Sequence, residues 1–251
     1  MNWPIIFDAL PSLINGALLT LQLTSTSVLL GLIAALPLGL MRASTSKLLS
    51  GLVLSYTFVL RGTPLLVQIF LIYYGLSQLS WIRASFAWSM LKEPYWCALI
   101  AFSLNHSAYA TEILRGGIRA VAPGEIEAAK ALGMSYMLRT RRIVLPVAWR
   151  LALPAYANEI VLMLKASSLA STITLMELTG TSRKIVAETF SPYEVFISAG
   201  LIYLGITFVC VQIFGLVERR INRHQHRPLS KKGREPGEVS TDAASQDRFI
   251  A

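Results

Sequence analysis

Residues 120–146 read Ala120-Val-Ala-Pro-Gly-Glu-Ile-Glu-Ala-Ala-Lys-Ala-Leu-Gly-Met-Ser-Tyr-Met-Leu-Arg-Thr-Arg-Arg-Ile-Val-Leu-Pro146, a charged stretch between two apolar blocks. Pro123 and Gly124 punctuate the chain, and residues 125–132 are good helix formers. Glu125 and Glu127 near the start and Lys130 near the end suit the helix dipole. Gly133 stands where a helix C-terminus takes a glycine. The spacing predicts a short helix near 124–133, with a second leading to Pro146. Isolated helices shorter than about 12–15 residues are marginal in water, so something must hold this one: a membrane surface, or a groove on a partner. Ala128, Ala129 and Ala131 carry little bulk and let another surface approach closely. An ordinary surface helix between two spans fits the same residues.

The flanking blocks set the environment. The 251-residue chain is 54% hydrophobic and only 15% charged, against roughly a quarter charged for soluble domains. Its apolar residues lie in long runs with the charges between them. A helix needs about 20 mostly apolar residues to cross the hydrocarbon core. Five blocks meet that, at 13–40, 52–79, 95–114, 144–164 and 195–217, so the expectation is an all-α membrane protein with five transmembrane helices. The first block lacks the basic flank of a signal peptide and is too long for one, so it is expected to remain as a span.

The blocks carry polar groups: Thr20, Gln22 and Thr24 to Ser27 in the first, Gln68 with nearby Pro and Gly in the second. Asn105, His106, Ser107 and Glu112 lie in the third, and Arg150, Asn158 and Glu159 in the fourth. Lipid-facing helices do not keep such groups. They are expected to face other helices or a wet cavity, either as interhelical hydrogen bonds or as the lining of a transport path.

The net charge of +9 would suggest nucleic acid in a soluble protein. Here Lys and Arg gather beside the blocks, so membrane topology explains the charge and no nucleic-acid partner is expected. Arg42 and Lys47 follow the first block, and Arg115, Arg119, Lys130, Arg139, Arg141 and Arg142 follow the third. Arg219, Arg220 and Arg223 open the C-terminal tail. By the positive-inside rule the N-terminal segment 1–12 is outside and the C-terminus cytoplasmic. The membrane domain is expected over 13–223. The polar tail 224–251, rich in Gly, Pro and Ser, is expected to be disordered. Cys97 and Cys210 sit in apolar stretches and read as packing residues.

The loop also carries a resemblance. Glu127-Ala128-Ala129, three residues, Gly133, nine residues, Ile143, one residue, Leu145-Pro146 is similar to the EAA loop of bacterial ABC importer permeases in each of those positions. Stretches in the membrane portion resemble the polar amino-acid permeases of the histidine/glutamine type: those opening at Gly16, at Arg61-Gly-Thr-Pro-Leu-Leu-Val-Gln, at Ser107-Ala-Tyr-Ala-Thr-Glu, and at Leu153-Pro-Ala-Tyr-Ala-Asn-Glu. The chain looks most like the M-type subunits of basic amino-acid and opine importers. The resemblance implies a type I ABC importer permease (MetI-like) fold in the bacterial inner membrane. It implies a second permease subunit, a sister Q-type chain, together with a dimer of ABC ATPases and a periplasmic substrate-binding protein. It makes Glu127, Ala128, Ala129 and Gly133 the contact and turn positions of a coupling helix that docks on the ATPase.

The chain has no GxxxxGK[ST] loop to cradle phosphates, so it is expected to hold no cofactor, with ATP and Mg on the partner ATPase. It is expected to be a translocation subunit and not an enzyme: no HExxH or Ser/His arrangement is present. The candidate substrate path comprises Gln68, Glu112, Asn158 and Glu159, whose carboxylates could pair with an amino group or guanidinium of an amino acid or opine. Glu112 could equally form a structural salt bridge with Arg115, and Glu159, shortly before Lys165, could pair with a neighbouring subunit. His106 could be a proton carrier in another kind of transporter, but a single His in a polar helix patch reads more often as an interhelical hydrogen-bonding residue. The competing function is a self-contained secondary amino-acid transporter, which would show an inverted repeat. None is visible here.

Overall fold

The computed structural model describes residues 3–222. The helices run α1 Trp3–Ala43, α2 Lys47–Gly62, α3 Leu65–Phe70, α4 Ser80–Arg83, α5 Trp88–Leu91, α6 Pro94–Arg119, α7 Pro123–Ala131, α8 Tyr136–Arg139, α9 Leu145–Ala166, α10 Leu178–Thr189 and α11 Pro192–Asn222. The backbone widens into π turns at Leu71–Gly75 and Thr140–Val144, and tightens to 3-10 at Ser167–Ile173. The expected disordered tail 224–251 lies outside the described residues.

The centre of the molecule is α6. Helix α1 runs parallel to it and very close. At Gly31 a Cβ would sit 2.8 Å from His106 Cδ2 and 3.0 Å from the Ser103 carbonyl, so only glycine allows this approach. Helix α2 runs antiparallel on another flank, with Tyr56 at Ser107 and Thr57 at Glu112. Helix α9 closes a third side, where Ala35 of α1 and Ala110 and Leu114 of α6 pack with Tyr156. Phe102, Leu23, Ile69 and Met163 fill the largest apolar cluster.

The second apolar block is not one straight helix. Helix α2 and the segment beginning with α3 meet at 99°. The cause is Pro64, which lacks an N–H and pushes the preceding Thr63 out of the helical region, to φ −107° and ψ 142°. The carbonyl that would have accepted from residue 64 is that of Leu60. Gln68 Nε2 takes its place as donor at 2.7 Å and Asn105 Nδ2 donates at 3.2 Å. Gln68 also donates to Thr63, and its Oε1 accepts from Asn105 at 3.2 Å. The break is therefore satisfied by side chains from both sides.

Helix α1 begins at Trp3, so residues 3–12 of the N-terminal segment are helical and continuous with the first apolar block. Its 41 residues span about 61 Å at 1.5 Å each, twice the hydrocarbon thickness of about 30 Å. The overhang packs against α10 and α11 through Leu13, Ala17, Leu178 and Val195. The count of five spans is not met by length and apolarity. Among the described residues Trp3–Ala43, Tyr136–Ile173 and Pro192–Ile221 qualify, and the bent pair makes a fourth if taken as one span. Helix α6 is long enough but too polar, and it can be polar because other helices enclose it.

Residues 174–190 carry a feature the sequence did not announce. Glu177 is fully buried and caps α10, accepting from the Thr179 and Gly180 amides at 2.8 and 2.9 Å. Tyr203 Oη of α11 donates to the same carboxylate at 3.0 Å, and Thr20 Oγ1 of α1 reaches it at 3.4 Å. One carboxylate thus ties three helices together.

Candidate functional site

The bend opens a cavity of 390 Å³ beside the α2–α3 junction. Arg61, Thr63 and Pro64 line it from the bend, Asn105 and Tyr109 from α6, and Glu159 and Met163 from α9. Arg61 stacks its guanidinium over the Tyr109 ring, 5.0 Å from the centroid, which fixes that cation by its flat face. Glu159 is 8% exposed, and its neighbour is His106, whose Nδ1 lies 3.8 Å from Oε1. That gap exceeds a hydrogen bond. His106 Nε2 instead contacts Tyr156 Oη at 3.2 Å. The open cleft therefore brings a held cation and a carboxylate with no hydrogen-bonded partner to one lining. Such a pair complements a zwitterion or a cationic amino acid.

The four path candidates separate. Glu159 lines the cavity. Gln68 stands behind it, 7% exposed, with both ends of its amide engaged by the bend. Asn158 lies around the helix from Glu159 in a different cleft of 290 Å³ between α9 and α11, lined also by Phe214 and Glu218. Glu112 is paired: Oε1 accepts from Arg42 Nε at 2.9 Å and Thr57 Oγ1 at 3.1 Å, and Oε2 from Arg115 Nε at 2.6 Å. Its alternative reading as a salt bridge with Arg115 is the arrangement present, with Arg42 as a second partner distant in sequence. Glu159 has His106 Nδ1 as its neighbour, at 3.8 Å.

The loop of residues 120–146 folds as a compact helical hairpin of α7 and α8. Helix α7 ends in a Schellman turn: Met134 N donates to Ala129 O at 3.1 Å and Gly133 N to Lys130 O at 2.9 Å. Gly133 has φ +72°, with open space where a Cβ would project. Ser135 caps α8 through its hydroxyl. Glu127, Ala128 and Gly133 are exposed, but Ala129 is 1% exposed and faces inward. Of the two alanines in the Glu-Ala-Ala run, the second therefore packs against its own chain. Leu132, Tyr136 and Met137 are 81%, 66% and 71% exposed beside the turn. The sequence reading missed this apolar patch, although their placement around a helix C-terminus signalled it. Between α7 and the end of α1 lies a groove of 420 Å³ lined by Ala43, Ile126 and Glu127.

Residues 27–223 match the family described as binding-protein-dependent transport system inner membrane component. The chain is 48% identical over 225 residues to the nopaline transport system permease protein NocM of Agrobacterium fabrum, covering 89% of this chain and 93% of that protein. It is 40% identical to the histidine/lysine/arginine/ornithine transport system permease protein HisM of Escherichia coli, over 84% and 89% of the two chains. Among solved structures it is similar to an amino acid ABC transporter crystallised with histidines, at 36% identity and a TM-score of 0.78, covering 88% of this chain and 99% of that one.

Proposed function

This chain belongs to the family of binding-protein-dependent transport system inner membrane components, a permease subunit of an ABC importer with the type I permease fold, and on that premise we propose that the cavity at the α2–α3 bend is its substrate station for a cationic amino acid or opine. The observation that carries the proposal is the joint lining of that cavity by Arg61 and Glu159. A carboxylate of the substrate meets the Arg61 guanidinium, for which a planar donor fork is suited. An ammonium or guanidinium meets Glu159. Gln68 and Asn105 hold the bend in shape, and Glu112 locks the ends of α1 and α6 together. The relatives named for nopaline and for histidine, lysine, arginine and ornithine transport support this substrate class.

Helix α7 is the coupling helix in this reading. Its exposed Glu127 and Ala128, with Leu132, Tyr136 and Met137 around the Gly133 turn, form the surface that docks on an ABC ATPase, where ATP and Mg bind. The chain contributes translocation and not hydrolysis. It sits in the inner membrane, and we place the N-terminus outside and α7 and the C-terminus in the cytoplasm, as the Lys and Arg distribution favours. A second permease, a sister chain of Q type, and a substrate-binding protein complete the assembly.

The test is equilibrium binding of L-arginine to the purified permease–ATPase complex. Glu159→Gln removes a charge-assisted contact worth about 1.5–3 kcal/mol, which is roughly a 10- to 100-fold weaker Kd. Binding unchanged in E159Q would place the station elsewhere.

A further inference from the structure

His106 is fully buried, and its Nδ1 makes no hydrogen bond. It points at Glu159 Oε1 across 3.8 Å, and Glu159 lines the cavity. We propose that His106 is a positioning residue for that carboxylate: it takes up one proton when the cavity is empty of cation and releases it when a cationic substrate group arrives. The proposal rests on the cavity being the substrate station.

A lone carboxylate enclosed in a helix bundle within a membrane is costly unless paired. With a cationic group in the cavity, Glu159 has its partner. Without one, the remaining candidate within ion-pair distance among the described residues is His106. Imidazole is the side chain whose charge changes between about pH 5 and about pH 8. Protonation from cavity water gives Nδ1–H a positive charge facing Oε1, and closing the gap makes a charge-assisted hydrogen bond. The opposite ring nitrogen tolerates both states. Tyr156 Oη, 3.2 Å from Nε2, donates to the neutral ring and accepts from the charged one.

Among the described residues, the groups around the ring come from three helices besides its own. Helix α9 presents Tyr156 and Glu159. Helix α1 presents Gly31, close against the ring. Helix α2 presents Tyr56, engaged with Ser107, and Arg61, held on Tyr109 at the cavity wall. With one proton held between His106 and Glu159, binding of the cation and of the proton compete one for one.

The experiment is calorimetric titration of L-arginine into the purified complex from about pH 5 to about pH 8, in two buffers of different ionisation enthalpy. Arginine's guanidinium does not titrate in this range. The wild type is expected to release up to one proton per arginine bound and to lose affinity as pH falls, approaching tenfold per pH unit. His106→Gln, which can still bond Tyr156 but cannot titrate, is expected to bind at neutral pH with both effects gone. A wild type that releases no proton anywhere in the range overturns the proposal without any variant. So does a pH slope that persists in H106Q. The two readings separate in the variants: E159Q binding like wild type removes the station, whereas E159Q losing binding while H106Q keeps its slope removes only the role of His106.

Discussion

Arg42 Nε at the end of α1 lies 2.9 Å from Glu112 Oε1 on α6, and the two residues are 70 positions apart in sequence. Arg115 Nε takes the other oxygen at 2.6 Å, and Thr57 of α2 the first at 3.1 Å. One carboxylate thus joins three helices just before the chain enters the loop that carries α7.

Glu112→Gln removes the anion and leaves two cations facing each other in a partly enclosed site. Losing one partner of a buried pair costs about 3–5 kcal/mol, and with side chains 11%, 12% and 23% exposed the expected loss is lower, about 2–3 kcal/mol by the same rule. Thermal unfolding of the purified complex measures it. Arg115→Met, which leaves Arg42 in place, is expected to lower Tm less than Glu112→Gln.

The bend makes a second prediction. Gln68→Leu leaves the carbonyls of Leu60 and Thr63 with fewer donors, at roughly 1–3 kcal/mol for each group left unsatisfied. Asn105 still reaches Leu60, so the loss falls toward the lower figure. Transport is expected to fall more than stability, because the cavity wall is built on that junction. ATPase co-purification with Q68L should be normal. Loss of the ATPase from the complex would show that the bend has a different role.

At the Schellman turn the backbone alone decides. Gly133 has φ +72° with nothing near a Cβ position, so Gly133→Ala costs only the left-handed penalty, about 1–2 kcal/mol. Asn tolerates this conformation better than Ala. Uptake and substrate-stimulated ATP hydrolysis are expected in the order Gly133, then G133N, then G133A, with G133V lowest. Equal activity across the series would show that the turn does not transmit motion.

Neighbouring alanines are expected to fail differently. Ala128→Leu adds bulk on the exposed face of α7 and is expected to weaken ATPase co-purification while folding normally. Ala129→Leu adds it to an enclosed position, where overpacking costs about 1–3 kcal/mol, and is expected to lower Tm of the permease itself. Identical effects of the two would contradict the orientation of α7.

The sequence was most legible where local rules act. The short helix, its dipole-matched charges and its terminal glycine were all readable at residues 124–133, and the structure has α7 and Gly133 there. Breaks that depend on one residue were half legible. Pro64 was visible, but hydropathy ran across it and joined two segments that stand at 99°. Long-range pairing was not legible. Nothing near Arg42 indicates Glu112, and nothing near Glu177 indicates Tyr203 and Thr20. The inward turn of Ala129 was also hidden, since an alanine looks the same on either face of a helix. Of the path candidates, only Glu159 lies in the cavity of the bend, because Asn158, one residue earlier, points about 100° away around the helix.

In the proposed function this permease moves substrate only when an ATPase drives it through α7. The direct measurement is uptake of L-arginine into proteoliposomes holding the purified permease pair, with and without the ABC ATPase and ATP, in the presence of the binding protein. Uptake is expected only when ATPase and ATP are both present, and an imposed ion gradient should not replace them. Uptake driven by a proton or sodium gradient without the ATPase would contradict the account and identify a self-contained secondary transporter.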